Sequence, residues 1–476
     1  MSAIVHHVRN SSSEMLSILD PRTGEAVGSL PVTPPLAVRR TVNAARAAYS
    51  GWSATSPAER GACLRAAARA LTAAAADLAE MNCRETGRPA EEALAGIAAG
   101  AAALEQYAEL GPVHRGHSLR GDSLAADYTI AESRGVAVLL TPWNDPVAVA
   151  CGLIGAALVT GNTVVHKPSE RCPHLGLMLG EALAPAFPAD VLSTLTGGAS
   201  VGTLLTEQAG VSVVAHVGST AAGHRIARTS LLNGAHVIRE NGGNDPLLVD
   251  DDVDPVWAAR EAAVGAFSNS GQLCTAVERI YVHRDIAGPF CAALAEEAKR
   301  RNQAGEMAPL VDHELRDEVH RQVAQALKSG ARAVEGGALP DGPGAYYPAT
   351  VLLDCIAGMD VMTEETFGPV APVQVVDSFD EGLRLAAGGR YGLAATVLTG
   401  RIAHAQQAIA ALPVGTVKIN EVFGGAPGGA AQPRGDSGDG FGYGPELLDE
   451  FTRVKVVHLA PPPANTVAGE GTGGQP

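Results

Sequence analysis

Aromatic side chains are scarce in this sequence, at 4% of its 476 residues. Neither CxxC nor HExxH occurs, so neither a structural nor a catalytic zinc site is supported. Basic charge is also in short supply. Lys and Arg total 35 against 51 Asp and Glu, a net charge of −16 that argues against a nucleic-acid or anionic-membrane partner. Seven cysteines, an odd number without regular spacing, fit free thiols in a reducing cytoplasm better than a disulfide framework. The opening MSAIVHHVRNSSSEML lacks the apolar stretch of a signal peptide. The longest apolar run, PVAVACGLIGAALVT (146–160), falls short of the roughly 20 residues a membrane span needs, and reads as a buried helix. A soluble, cytoplasmic protein is expected.

What is present is ordinary in bulk: 46% hydrophobic and 18% charged residues, in a chain long enough for about two or three domains. The Ala- and Leu-rich stretch 58–82 predicts a helix. From residue 136 short β-type runs alternate with helical stretches: VAVLLTP, NTVVHKP, VSVVAHVG and HVIREN, then RIYVHRD, GPVAPVQVV, AATVLTG and GTVKIN. Nearly continuous Val, Leu and Ile between helices indicates parallel strands buried on both faces. The expected fold class is therefore α/β, with two doubly wound parallel-sheet domains. Residues 112–135 are hydrophilic and weakly alternating, which suggests a projecting hairpin. The Pro/Gly-rich tail 461–476 is expected to be disordered.

FSNSGQLCTAVERI (267–280) places Cys274 behind a Gly-Gln-Leu turn. Most unpaired cysteines are buried and inert, but the polar neighbours Ser268, Asn269, Ser270 and Gln272 argue against a plain core strand. Four other segments hold residues that a cysteine-based aldehyde oxidation would need. In TPWNDPV (141–147), Asn144 follows a strand and could donate to an oxyanion, or simply occupy a turn. In NTVVHKPSE (162–170), Lys167, Ser169 and Glu170 sit at a strand's carboxyl end, suited to ribose hydroxyls or to solvent. In HVGSTAAG (216–223), Gly218 and Gly223 bracket a turn with Ser219 at a helix N-terminus, a place that favours a pyrophosphate. In RENGGND (239–245), Glu240 could be a general base or an exposed loop acid.

In this order the segments resemble the NAD(P)-dependent aldehyde dehydrogenase superfamily, over about residues 15–458. DPRTGEAVGSLP, AARAAYSGWSATSPAERGACLRAAARAL, ETFGPV, YGLAATVLT and GTVKIN carry the resemblance further. Phe267, Asn269, Gly271, Gln272, Ala276 and Arg279 fit the family's FxNxGQxCxAxxR pattern around Cys274. The resemblance implies Cys274 as nucleophile, Glu240 as base and Asn144 in the oxyanion hole. It implies Trp143, Lys167, Ser169, Glu170, Gly218, Ser219, Gly223, Glu365 and Phe367 as cofactor contacts. The cofactor would be NAD, with NADP possible, and the substrate a small-molecule aldehyde oxidised to the acid through a thiohemiacetal and thioester. It further implies an NAD-binding domain (1–111 and 136–241), a catalytic domain (242–430), and an oligomerisation arm (112–135 and 446–460) that makes a homodimer or homotetramer.

Rival readings are a CoA-acylating member, which Glu240 disfavours, and a catalytically silent structural relative, which the retained Cys274, Glu240 and Asn144 disfavour. Two departures stand out. Asn241 replaces the family's usual Leu, and the PxGGxKxSGxGRE stretch reads PGGAAQPRGDSGDGFGYG (427–444). After Asn144, positions Asp145, Ala148, Val149 and Gly152 share one helix face, which in the family lines the substrate tunnel. Small residues there, a short 421–426 loop and no arginine beside the nucleophile predict a neutral aldehyde with some bulk. An anionic semialdehyde would need an arginine from elsewhere, such as Arg434.

Overall fold

The computed structural model describes residues 14–424 and 430–462. Residues 1–13, 425–429 and 463–476 lie outside the described residues, and with them part of the 421–426 loop and nearly all of the tail expected to be disordered. Two large sheets form the body. In the first, strands His236–Glu240, Val211–Val217, Val136–Leu140, Thr163–Lys167 and Leu192–Thr194 run parallel in that spatial order. In the second, Thr350–Leu353, Val370–Val376, Val277–His283, Asp245–Val249, Ala394–Leu398 and Thr416–Ile419 run parallel, and Arg332–Glu335 is an antiparallel edge. Every residue of Val136–Leu140, Thr163–Lys167 and Ala394–Leu398 is buried, as strands covered by helices on both faces must be. The expected α/β class is the observed one.

Helices from the first hundred residues cover the first sheet. Leu64, Leu78, Leu104 and the 146–159 helix residues Leu153 and Ile154 share one core with Leu139 and Val213. The 58–82 stretch differs from expectation: it is two helices, Pro57–Ala73 and Ala75–Thr86, meeting at Ala74. No Gly or Pro marks that place, so the break follows packing rather than propensity. The first of the two opens on a capping box, with Ser56 and Glu59 satisfying each other's backbone N–H. A three-stranded antiparallel sheet, Thr452–Leu459, Ala126–Ser133 and Ser118–Leu119, includes the hairpin expected at 112–135. Among the described residues no helix is long and apolar enough to cross a membrane.

Helices Pro57–Ala73, Ala90–Val113 and Pro146–Val159 approach closely through glycine. A Cβ on Gly61 would lie 2.6 Å from the Ala108 carbonyl oxygen, whereas one on Gly51, in helix Pro35–Ser53, would meet nothing within 4 Å. Urea unfolding should therefore separate the two substitutions. Gly61→Ala is expected to destabilise by about 1–3 kcal/mol through overpacking, and Gly51→Ala to stabilise by roughly 0.5–1 kcal/mol. Equal effects would show that the helix contact does not depend on Gly61.

Candidate active site

The segment before Cys274 is backbone that most residues avoid. Asn269, Ser270 and Gly271 have φ of 47°, 54° and 75°, all left-handed. A Cβ on Gly271 would stand 2.2 Å from the Gly368 carbonyl oxygen, so only glycine fits. Neighbours hold the turn from several sides. The Gln272 side chain donates to Asn269 O (2.9 Å) and accepts from Val311 N (2.9 Å), while the Ser270 hydroxyl donates to Ala308 O (2.7 Å). The Gln272 carbonyl accepts from Asn144 Nδ2 (3.0 Å) and Asn269 Nδ2 (3.3 Å).

Beyond the turn the Cys274 thiol donates to Glu240 Oε1 at 3.5 Å. Glu240 is the last residue of strand His236–Glu240 in the first sheet, and Cys274 lies in the turn before strand Val277–His283 of the second, so the two meet between the sheets. Burial raises the Glu240 carboxyl, an effect that the thiol hydrogen bond opposes. Burial also pushes the Cys274 thiol well above its ordinary value, helped by the nearby carboxylates Glu240, Asp245 and Glu365. A Cβ on Gly442 would lie 2.5 Å from Glu240 Oε2, so glycine at the last position of the altered GRE stretch leaves room for that carboxylate.

Asn144 lies just before helix Pro146–Val159, and Asp145 is the N-cap, but the Asp145 carboxylate makes no capping bond. It pairs instead with Arg88 at 2.9 Å, and Arg88 also donates to Asn144 O at 2.8 Å. Arg88 is the arginine near the expected tunnel face that the sequence reading lacked. Arg434, suggested for that role, is exposed in a short pairing with Tyr391–Gly392. Ala148, Val149 and Gly152 are half-buried, and a Cβ on Gly152 would meet nothing within 4 Å, so this helix face is open.

Of the expected cofactor residues, Ser219 and Glu365 line one cavity. Lys167 ends its strand, its ammonium donating to Gly197 O (2.7 Å), Pro168 O (2.8 Å) and Glu170 (3.3 Å). Ser169 is buried beside it and accepts from Arg171 N at 3.2 Å. Gly218 follows strand Val211–Val217, and Ser219 caps helix Thr220–Asn233 by accepting from Ala222 N. Gly223 has a second neighbour to accommodate. It sits inside that helix, where a Cβ would lie 2.0 Å from Asn241 Oδ1, so close packing rather than the turn requires glycine. The rings of Trp143 and Phe367 meet edge-on at 5.5 Å, with the Arg171 guanidinium 5.4 Å from the Trp143 ring. The Glu365 carboxylate accepts from Gly243 N at 3.0 Å, and burial pushes it up to about 8, followed by the nearby Glu278. A cavity of about 610 Å³ runs past Ser219, Thr220, His224, Glu365, Arg390 and Tyr391.

Four residues of the site were missed. Arg88 came from a loop with no motif. Buried Glu278 accepts from Thr366 N (3.0 Å), Phe367 N (2.8 Å) and Asn244 Nδ2 (3.2 Å), tying ETFGPV to the GGND turn. Glu278 stands one residue before RIYVHRD, outside the run read as a strand, and belongs to no motif of its own. Lys418 and Tyr443 also come within electrostatic reach of Cys274.

The family model described as "Aldehyde dehydrogenase family" matches residues 7–457. Betaine aldehyde dehydrogenase 1 of Rhizobium meliloti (strain 1021) is 32% identical over 473 residues, covering 95% of each chain. A betaine aldehyde dehydrogenase of Cereibacter sphaeroides (strain ATCC 17029 / ATH 2.4.9) is 33% identical, covering 94% of this chain and 95% of that one. Among solved structures, betaine aldehyde dehydrogenase from Staphylococcus aureus in complex with NAD+ superposes with a TM-score of 0.91 at 28% identity, covering 95% of this chain and 93% of that one. A lactaldehyde dehydrogenase superposes with a TM-score of 0.90 at 30% identity, covering 94% of this chain and 96% of that one. With the family pattern matched across nearly its whole length and the cysteine and glutamate meeting between the two sheets, this chain belongs to the aldehyde dehydrogenase family.

Proposed function

We propose that the chain oxidises an aldehyde to a carboxylic acid with NAD, with Cys274 as nucleophile. The observation that carries this reading is the Cys274–Glu240 contact at 3.5 Å, beside an Asn144 amide anchored on the same loop. The residues present fit a dinucleotide. Ser219 presents a helix N-terminus of the kind that takes a pyrophosphate, and the Lys167–Glu170 pair ends the neighbouring strand, where ribose hydroxyls bind. Trp143, Ser169, Gly218, Glu365 and Phe367 would border the same molecule. Bound there, NAD would supply the acceptor for the hydride leaving the substrate carbon.

The chain's own residues do the rest. The Cys274 sulfur, as thiolate, attacks the aldehyde carbon, and Asn144 Nδ2 with the Cys274 backbone N–H holds the oxyanion of the thiohemiacetal. After oxidation to the thioester, Glu240 takes a proton from water, which cleaves the thioester to acid and returns the thiol. Glu240 must be ionised for this, and the burial that raises it makes its carboxylate a better proton acceptor than an exposed one. Residues 1–111 and 136–241 would bind the cofactor, and 242–430 would carry the catalysis. Residues 112–135 and 446–460 would join subunits into a homodimer or homotetramer. Val454 and Val456, 74% and 65% exposed on strand Thr452–Leu459, support that last assignment. Seven cysteines free of disulfides agree with a cytoplasmic setting.

The substrate is best read as a neutral aldehyde with some bulk. On the open 146–159 helix face Asp145 is 33% exposed and Glu92, nearby, 44%, with Arg88 between them. Two carboxylates against one guanidinium disfavour an anionic tail. The names of the relatives, betaine aldehyde dehydrogenases, support betaine aldehyde as a second candidate. In a panel of benzaldehyde, a medium aliphatic aldehyde, betaine aldehyde and succinate semialdehyde, the semialdehyde should have the lowest kcat/KM. A semialdehyde that led the panel would overturn this reading.

Cys274→Ala should abolish turnover without loss of fold, since it removes the one covalent site and little volume. Glu240→Gln should instead release about one reduced cofactor per active site in a burst and then turn over slowly, because only deacylation lacks its base. A normal steady-state rate in Glu240→Gln would remove the glutamate from the mechanism.

NAD should be preferred to NADP, since the Glu170 carboxylate, 49% exposed and only partly neutralised by Lys167 at 3.3 Å, would repel a 2′-phosphate. Glu170→Ser should move the ratio of catalytic efficiencies toward NADP. Better efficiency with NADP in the unmodified protein would contradict the assignment.

A further inference from the structure

The groups around Cys274 are predominantly acidic. Glu240 comes from strand His236–Glu240, Asp245 opens strand Asp245–Val249, Glu365 comes from the loop before strand Val370–Val376, and Tyr443 comes from the C-terminal segment. Lys418 of strand Thr416–Ile419 is the one cation among these neighbours. Lys418 is in register with Thr396, and Thr396 with Leu247. Asp245 lies two residues before Leu247, so Asp245 and Lys418 share a sheet face. The Lys418 ammonium is half-buried, donates to Val422 O at 2.6 Å and lies 5.5 Å from the Phe423 ring. Its other two hydrogens have no acceptor among the described residues.

Asp245 is the matching oddity. Its Oδ1 accepts from Ala394 N at 3.1 Å, but its buried Oδ2 has no hydrogen-bond partner. A buried carboxyl with one unsatisfied oxygen is costly unless a cation lies near or it holds its proton. Arg279, the other basic group acting on it, is committed to the carbonyls of Asn244, Gly388 and Ala386.

We propose that Lys418 is a positioning residue for Cys274: its ammonium, on the same sheet face as Asp245, offsets that carboxylate and so stabilises negative charge on the sulfur. The idea rests on the reading of Cys274 as nucleophile but concerns a different property, the charge of the resting thiol. Burial lowers the Lys418 ammonium's own proton affinity, while Asp245 and Cys274 act to keep the proton on. The sign follows directly. Removing the cation leaves the thiol facing only acids, so the thiolate appears at higher pH. Removing the Asp245 charge does the reverse.

The test uses the full-length protein without NAD or aldehyde. Iodoacetamide alkylation of the Cys274 peptide is followed by mass spectrometry as a function of pH, since only the thiolate reacts. Lys418→Met should displace the profile upward by about one pH unit, about tenfold slower alkylation below the midpoint, and Lys418→Arg should restore it. Asp245→Asn should displace it downward. A Lys418→Met profile that superimposes on the unmodified one overturns the proposal. Should Lys418→Met fail to fold, Lys418→Gln and Asp245→Asn carry the test, and failure of the two to move in opposite directions overturns it. Alkylation reports the charge on sulfur whether or not Cys274 catalyses, so this outcome is separable from that of Cys274→Ala.

Discussion

The carbonyl of Gln272 is the point on which the site depends. Two side-chain amides, from Asn144 and Asn269, converge on this oxygen. One belongs to the first sheet's loop and the other to the strained turn itself. Asn269 and Ser270 in left-handed backbone cost of order 1–3 kcal/mol each, and a turn so disfavoured persists only where its surroundings over-determine it. Gln272, Ser270 and the Gly271–Gly368 contact supply that over-determination from the second sheet. Because Asn144 completes it from the first, the proposed oxyanion donor and the proposed nucleophile are fixed by one hydrogen bond between sheets.

Charge sets the second constraint. Asp245, Glu278 and Glu365 crowd the base of the cleft, and burial pushes them up to about 8, 7 and 8. They do not all ionise together at neutral pH, because each ionised carboxylate raises its neighbours. Glu278 has the best claim to charge, since two backbone N–H groups and an amide donate to it. Its protonation state thus bears on the conformation of the 364–368 loop, where Phe367 also has a left-handed φ of 51°. Glu365 lies against the Gly242–Gly243 turn, so the loop and the turn after Glu240 form one polar unit.

This pattern explains what the sequence disclosed. Strands such as Val136–Leu140 were legible because burial on both faces demands unbroken apolar runs; Glu240 and Lys167 stand at the ends of such runs, whereas Cys274 and Asn144 stood out only through the family pattern that the sequence resembles. Arg88, Glu278 and Lys418 were hidden because their roles come from partners brought close only by folding. Arg88 meets Asp145 across 57 positions. The packing requirement for glycine at 223 was hidden for a related reason. A glycine needed for a turn and one needed for a neighbour's side chain look alike in sequence, and only the position of Asn241 distinguishes them.

The two departures from the family pattern are complementary. Asn241, where the family has leucine, donates from its side chain to Asp436 O (2.9 Å) and from its backbone to Ser437 O (2.8 Å). Both acceptors belong to the altered 427–444 stretch. A leucine could make the backbone bond but would leave the Asp436 carbonyl without this donor, at a cost of about 1–3 kcal/mol if the group stayed dry. The anchored stretch then links both sheets. Arg434–Gly435 pairs with Tyr391–Gly392, Ser437 Oγ accepts from Gly392 N at 3.0 Å, and Gly438–Asp439 pairs with Glu240 and Arg239. From there the chain reaches Gly442, directly against Glu240, and Tyr443 beside it. A change at residue 241 would therefore reach Glu240 along two routes, through the strand that ends there and through the segment that Asn241 holds over it.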